Sequence, residues 1–238
     1  MERVMRVITC NVNGLRSAYR KGFLDWMLLQ DADVICLQEL KAQPADLDMP
    51  CFHPDGYHLY TLCAEKKGYS GVGIYTRHVP QAVHRGLGWP CADQEGRYLQ
   101  VDFEGLSIAS IYLPSGTSGP QRQALKYEFM SKYYAQYLAQ PIAPGRQMIV
   151  CGDWNIAHRK IDLKNWRSNQ KNSGFLPAER EWMTKIFEEF GFVDVFRRLN
   201  QNTEQYTWWS NRGRSWEKNV GWRIDYQVAT PNVASKAK

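Results

Sequence analysis

Met148-Ile149-Val150-Cys151-Gly152-Asp153-Trp154-Asn155 is a short apolar run that stops abruptly in a carboxylate and an amide. Its length suits a buried strand better than a helix, and the Gly, Asp and Asn at its end are turn formers. Near the N-terminus, Val7-Ile8-Thr9-Cys10-Asn11 repeats the pattern and also ends in a polar side chain able to bind a metal. Rigid scaffolds present chemistry where strands give way to loops, so these two ends are the first places to look for a site.

Further β-branched runs lie at 4–10, 33–37, 57–63, 71–76, 98–103, 106–112, 147–151 and 222–229. Between them the apolar residues take helical spacing. Leu125, Phe129, Met130, Tyr133, Tyr134, Tyr137 and Leu138 share one face of a helix expected over 122–138. Trp182, Met183, Ile186, Phe187 and Phe190 do so over 178–190, after Pro177 at the first helical position and before Gly191 as a stop. Glu179 and Glu181 complement the dipole of that first turn. A helix around 22–30 separates the first two strands. Strands alternating with helices at both ends, and paired strands in the middle, predict an α/β sandwich of mixed sheets.

The 238 residues are 44% hydrophobic and 13% aromatic, enough to build a core, so a folded rather than a disordered chain is expected. Charged residues interrupt every apolar run well before the roughly 18 residues that span a bilayer, which predicts a protein without a membrane segment. Met1-Glu2-Arg3 leads directly into a strand-like stretch with no apolar signal region. The cysteines at 10, 36, 51, 63, 91 and 151 form no CxxC pair and no zinc spacing. Three of them sit inside apolar runs, where a thiol packs as a small hydrophobe, so reduced thiols in a cytoplasmic protein are expected. The net charge of +6 permits a nucleic-acid partner without requiring one.

Asn11 and Asn13 follow the first strand, Glu39 the second, and Asp153 and Asn155 a later one, while Asp225 lies in the last. Mg²⁺ and Mn²⁺ take such oxygen donors and keep several waters, so one or two carboxylates suffice. Each residue alone also reads as a turn former. Their succession at strand ends points to a converging acidic site. The second signal is a basic, aromatic C-terminal half. Arg159, Lys160, Lys164, Arg167 and Lys171 precede a stretch in which Arg212, Arg214, Lys218 and Arg223 alternate with Trp208, Trp209, Trp216 and Trp222. Cations neutralise phosphates and exposed aromatics stack on bases and sugars. The competing readings are a solvated face and core tryptophans.

These residues fall in blocks that resemble the exonuclease III family of AP endonucleases. The blocks are Ile8–Arg16, Leu37-Gln38-Glu39-Leu40-Lys41, Gly68-Tyr69-Ser70-Gly71-Val72-Gly73, Tyr112-Leu113-Pro114, Cys151–His158, Asn172-Ser173-Gly174-Phe175 and Gly221-Trp222-Arg223-Ile224-Asp225-Tyr226. The Gln-Glu and Gly-Asp-Trp-Asn blocks reach only a wider superfamily of metal-dependent phosphoesterases, whereas the last two indicate the AP endonuclease branch. The resemblance implies a four-layer α/β sandwich, with two mixed β-sheets packed face to face and helices outside. One catalytic domain over 1–238 is expected, and since no heptad or large apolar stripe demands a partner chain, so is a monomer.

Carried over residue by residue, Glu39 matches the principal metal ligand, with Asn11 beside it, for Mg²⁺ or Mn²⁺. Asp153 matches the residue that activates the attacking water, and Asn155 the one that orients it. Tyr112 matches a phosphate-contacting phenol, and Asp225 the carboxylate that orients a histidine. Asn172, Trp208 and Trp222 match positions around an abasic sugar, with Lys171, Arg212 and Tyr69 as further DNA contacts. The implied partner is double-stranded DNA carrying abasic sites, cut 5′ to the lesion, with accompanying 3′→5′ exonuclease or 3′-repair activity. Two departures stand out. The family's Ser-Asp-His block is absent by Lys238, and none of the histidines at 53, 58, 78, 84 and 158 stands in its context. Ser115 also replaces an asparagine found in some relatives. A lesion-binding form impaired in cutting, and a phosphoesterase acting on small phosphate esters, are the alternatives these departures leave open.

Overall fold

The computed structural model describes residues 4–133, 137–138 and 143–238, so Tyr134 and the Met1-Glu2-Arg3 start lie outside the described residues. The chain divides into two compact units, Met1–Tyr112 with Met148–Asp153, and Leu113–Gln147 with Trp154–Lys238. Its architecture is the expected α/β class with two large mixed sheets and helices.

The first unit opens with β1 (Val7–Asn11), α1 (Leu15–Arg20), α2 (Phe23–Leu29), β2 (Val34–Gln38) and α3 (Pro44–Leu47). It continues through β3 (His58–Leu62), β4 (Val72–Thr76), β5 (Ala82–Arg85), α4 (Pro90–Asp93), β6 (Tyr98–Phe103) and β7 (Leu106–Tyr112). β8 (Gln147–Asp153) joins it from later in the chain. One sheet has the order β1-β2-β4-β3, with β1 and β2 parallel and the remaining pairs antiparallel. In the other, β5, β6, β7 and β8 lie side by side.

β2 is buried along its whole length, as expected of a strand covered on both faces. Ile35 and Leu37 pack with Leu15, Leu24 and Met27 of α1 and α2. Strand β2 also faces β7 of the second sheet. Gln38, fully buried, crosses that gap and donates from Nε2 to Ser110 Oγ at 2.9 Å. Ser110 Oγ donates in turn to Leu37 O at 2.8 Å. The two sheets are thereby locked in register directly beneath Glu39.

Gly152 is required by the closeness of β8 to its neighbour. At φ +154° an added Cβ would stand 1.9 Å from the carbonyl oxygen of Ile111. Gly152→Ala is therefore expected to destabilise the protein by about 3 kcal/mol. It should also lower activity by displacing Asp153. Urea unfolding beside a cleavage assay checks both effects.

The second unit contains α5 (Pro120–Tyr133), α6 (Trp166–Asn169), α7 (Pro177–Glu188), β9 (Val193–Asp194) and α8 (Val195–Leu199). It ends with β10 (Trp208–Trp209), β11 (Gly221–Trp222), β12 (Asp225–Ala229) and α9 (Pro231–Ser235). Phe129, Met130 and Tyr133 of α5 and Trp182, Met183 and Ile186 of α7 are buried, which matches the expected faces. Trp154 forms the centre, with ring centroids 5.9 Å from Trp182 and 6.3 Å from Tyr226.

Two charged residues on these helices turn inward, where the apolar pattern gave no sign of them. Lys126 and Glu179 are both fully buried and paired at 2.6 Å. The single run expected over 222–229 is two strands, because Arg223 leaves the ladder for buried ion pairs with Asp162 and Asp194. Strand β5 carried no apolar signal: its residues are half-buried or exposed.

Candidate active site

Four of the residues singled out from sequence meet in the first unit. Because β1 and β2 run parallel, Asn11 and Glu39 emerge from the same sheet edge. The loops there are tied together by Gly14 N–H to Glu39 O at 2.7 Å and Lys41 N–H to Ser70 O at 2.8 Å. Asn13, Glu39, Lys41 and Ser70 all have φ between 43° and 56°. For residues other than glycine that conformation costs of order 1–3 kcal/mol each and persists only where surrounding bonds enforce it. Such strain concentrates at functional sites.

Asn11 Nδ2 donates to Glu39 Oε1 at 3.1 Å and to Asp153 Oδ2 at 3.0 Å, so one amide joins carboxylates 114 positions apart in the chain. Its own Oδ1 accepts from Asn13 N–H at 3.0 Å, which fixes which way the amide faces. Tyr112 Oη donates to Glu39 Oε1 at 2.6 Å. Lys41 Nζ lies 2.6 Å from Glu39 Oε2 and 2.5 Å from Asn13 Oδ1. Burial pushes the Glu39 carboxyl up, but the bonds from Lys41, Tyr112 and Asn11 outweigh it and hold it below the ordinary range. It is ionised at neutral pH. Burial raises the Tyr112 phenol strongly, and the charges of Glu39 and Asp153 add to that, so it remains a proton donor.

The donor set suits a hard divalent cation. Two carboxylates hang from one amide, and an ammonium already rests against Glu39, marking it as the place where positive charge is drawn in. Among the described residues no group of three His, Cys, Asp or Glu is placed to hold a metal. A cation that retains its waters needs fewer. Glu39, with Asn11 beside it, is the residue that would hold it, next to Asp153 and with Lys41 displaced or turned aside.

Arg97 and Gln38 belong to this cluster and were not singled out as site residues from the sequence. Arg97 is 2% exposed and reaches Tyr112 O at 2.8 Å and Tyr69 Oη at 3.1 Å. Its signal was an arginine just ahead of a predicted strand, which reads as surface.

The remaining expected residues lie in the second unit. Asn155, at φ 50°, donates from Nδ2 to Leu113 O at 2.8 Å. Its carbonyl accepts from the buried Lys126 at 2.8 Å. Glu179, the partner of Lys126, accepts the Gly174 and Leu176 N–H groups at 2.7 and 3.0 Å. The Asn155 turn and the Asn172–Phe175 loop are thus fastened to one ion pair. Trp208 and Trp222 are register partners across β10 and β11, and a Cβ on Gly174 would meet the Trp222 ring at 3.2 Å. Lys171, Asn172 and Arg212 are exposed, and Asp225, at the start of β12, donates its N–H to Thr207 Oγ1 at 3.2 Å.

The tryptophans divide between the two competing readings. Trp154 and Trp182 are core, whereas Trp208 and Trp216 are 46% and 70% exposed. Among the five histidines, His158 is held by Thr184 Oγ1 at 2.8 Å, and burial lowers its pKa to about 4. It is neutral and packed, and does not resemble a phosphate-stabilising imidazolium.

A strained strand edge carrying joined carboxylates, a phenol and a lysine has the parts for acid–base and metal-assisted chemistry. Residues 8–237 match the model of the Endonuclease/Exonuclease/phosphatase family, and the chain belongs to that family. It is 40% identical over 231 residues to an exodeoxyribonuclease of Bacillus subtilis, covering 96% of this chain and 89% of that protein. It is 37% identical to the DNA repair nuclease APEX1 of Danio rerio, over 94% of this chain and 72% of that one. Among solved structures, an AP endonuclease from Archaeoglobus fulgidus superposes with a TM-score of 0.87 at 27% identity, covering 98% of this chain and 89% of that one. Nucleases of the family are generally divalent-metal dependent.

Proposed function

We propose that this protein is an AP endonuclease of DNA repair that hydrolyses the phosphodiester 5′ to an abasic site in duplex DNA. Some 3′→5′ exonuclease or 3′-repair activity accompanies it. The observation that carries the reading is the bridging of Glu39 and Asp153 by Asn11 beside the Tyr112 phenol. The names of the relatives, exodeoxyribonuclease and DNA repair nuclease, support it.

In the proposed reaction Asp153 accepts a proton from a water aligned opposite the leaving oxygen. The water oxygen forms a bond to phosphorus as the bond to the 3′-oxygen breaks, and the departing alkoxide takes a proton from solvent to leave as the 3′-hydroxyl. Tyr112, turning its one proton from Glu39 to the substrate, donates to a phosphate oxygen as charge builds on it, a contribution worth roughly 10²–10³ in rate for a single well-aimed donor. Asn155 orients the water and Asp225 acts in support. Mg²⁺ or Mn²⁺ held by Glu39, with Asn11 beside it, would supply Lewis-acid stabilisation of the same charge. Asn172, Lys171, Tyr69, Trp208, Arg212 and Trp222 contact the DNA, and residues 1–238 act as a single catalytic domain and a monomer. No helix among the described residues is long and apolar enough to cross a membrane, and the six free thiols suit a reducing cytoplasm.

A duplex with one tetrahydrofuran lesion tests the reading, with Mg²⁺ present and then removed by EDTA. A nick 5′ to the lesion that needs the metal supports it. Turnover of small phosphate esters with no action on the duplex would favour the phosphoesterase alternative instead. Arg212→Ala should weaken lesion binding several-fold and lower the slope of log K against log salt by about one, because one phosphate contact is lost. A fluorescence-anisotropy titration at three salt concentrations measures this.

A further inference from the structure

We infer that Arg97 is a positioning residue for the reaction, setting the Tyr112 phenol from behind. The inference rests on reading the Glu39, Asp153 and Tyr112 cluster as the hydrolytic centre. Gly96 makes the turn that admits Arg97: at φ +59° an added Cβ would lie 2.5 Å from Leu62 O, so only glycine fits. Arg97 then stands opposite Tyr112, whose N–H donates to Arg97 O at 2.9 Å. The guanidinium turns back under the phenol, its carbon 4.8 Å from the Tyr112 ring centroid.

All three kinds of donor on this guanidinium are used. Nε donates to Glu95 Oε2 at 2.7 Å, Nη1 to Tyr112 O at 2.8 Å and Nη2 to Tyr69 Oη at 3.1 Å. A planar fork with three fixed acceptors has no freedom to move, and lysine could not reproduce it. Tyr112 is therefore held at both ends, by Arg97 at its backbone and ring and by Glu39 at its hydroxyl. The bond to Tyr69 Oη completes the fork and holds the guanidinium in place under the Tyr112 ring. Displacing a reacting group by about 1 Å can cost 10²-fold in rate, so a residue that touches no substrate can still control kcat.

A double-mutant cycle separates positioning from general support of the fold. Wild type, Arg97→Gln, Tyr112→Phe and the double variant are compared on the tetrahydrofuran duplex for kcat, KM and Tm. Arg97→Gln should lower kcat roughly 30-fold with KM within about twofold, and in the Tyr112→Phe background the same change should cost under about threefold. Equal losses in both backgrounds, or a loss in KM alone, would overturn the inference. If Arg97→Gln does not fold, Arg97→Lys serves in its place, with a smaller loss but the same dependence on Tyr112. Spectra of ¹³C-labelled tyrosine give a readout that needs no activity, with Tyr112→Phe identifying the signal. The Tyr112 ring resonances should shift on substitution of Arg97, and unchanged resonances would count against the idea. A wild-type protein that cuts no DNA would sink the proposed function instead, leaving the spectra to judge whether Arg97 sets the phenol.

Discussion

Asp153→Asn is expected to lower kcat by about 10³-fold while leaving lesion affinity and Tm close to wild type. The substitution keeps the shape, and its amide oxygen can still accept the bond from Asn11 Nδ2, so the strand end should hold its course. What it loses is a group able to take a proton from water. Single-turnover cleavage, with lesion binding measured in EDTA, separates the two quantities. Loss of binding equal to loss of rate would make Asp153 a structural residue and move the chemistry elsewhere.

The second large effect is on stability. Asp162 is fully buried and accepts from both Arg197 Nε and Arg223 Nε at 2.8 Å. Arg197 and Arg223 are themselves 2% and 1% exposed. Asp162→Asn removes the counter-charge of buried Arg197 and one of the two at Arg223, which keeps Asp194, and is expected to cost about 3–5 kcal/mol. Burial pushes the Asp162 carboxyl up, but Arg223 and then the bonds from Arg223, Arg159 and Arg197 outweigh it and hold its pKa below the ordinary value. A carboxyl lowered on folding contributes stability that is complete above its unfolded value, near 3.9, and is lost as pH falls through the folded value. Urea unfolding should therefore show the full gap between wild type and variant at pH 7, closing only below about pH 4. A gap that is small at pH 7, or that closes well above pH 4, would contradict this.

Much of the sheet framework was readable because its strands are buried runs with turn residues at their ends, as in Val34–Gln38 and Gln147–Asp153. The pairing of Glu39 with Asp153 was readable only as an expectation, since strand ends announce themselves while their convergence depends on topology. Charged residues that fold inward were not legible. Lys126, Arg97, Asp162 and Arg223 look like surface in a linear pattern, and only their partners, distant in sequence, make burial tolerable. The tryptophans show the same limit. Trp154 stands between Asp153 and Asn155 and Trp216 between Ser215 and Glu217, both beside polar residues, yet one is the centre of a core and the other lies in solvent.

The bridge between Glu39 and Asp153 is the point on which the account turns, and Mn²⁺ titration of the purified protein followed by electron paramagnetic resonance addresses it directly. Wild type should bind Mn²⁺ at a site that Glu39→Gln weakens at least tenfold, with incision of the lesion duplex falling in parallel. Unchanged Mn²⁺ affinity in Glu39→Gln, with incision intact, would remove Glu39 from the reaction and the proposed centre with it.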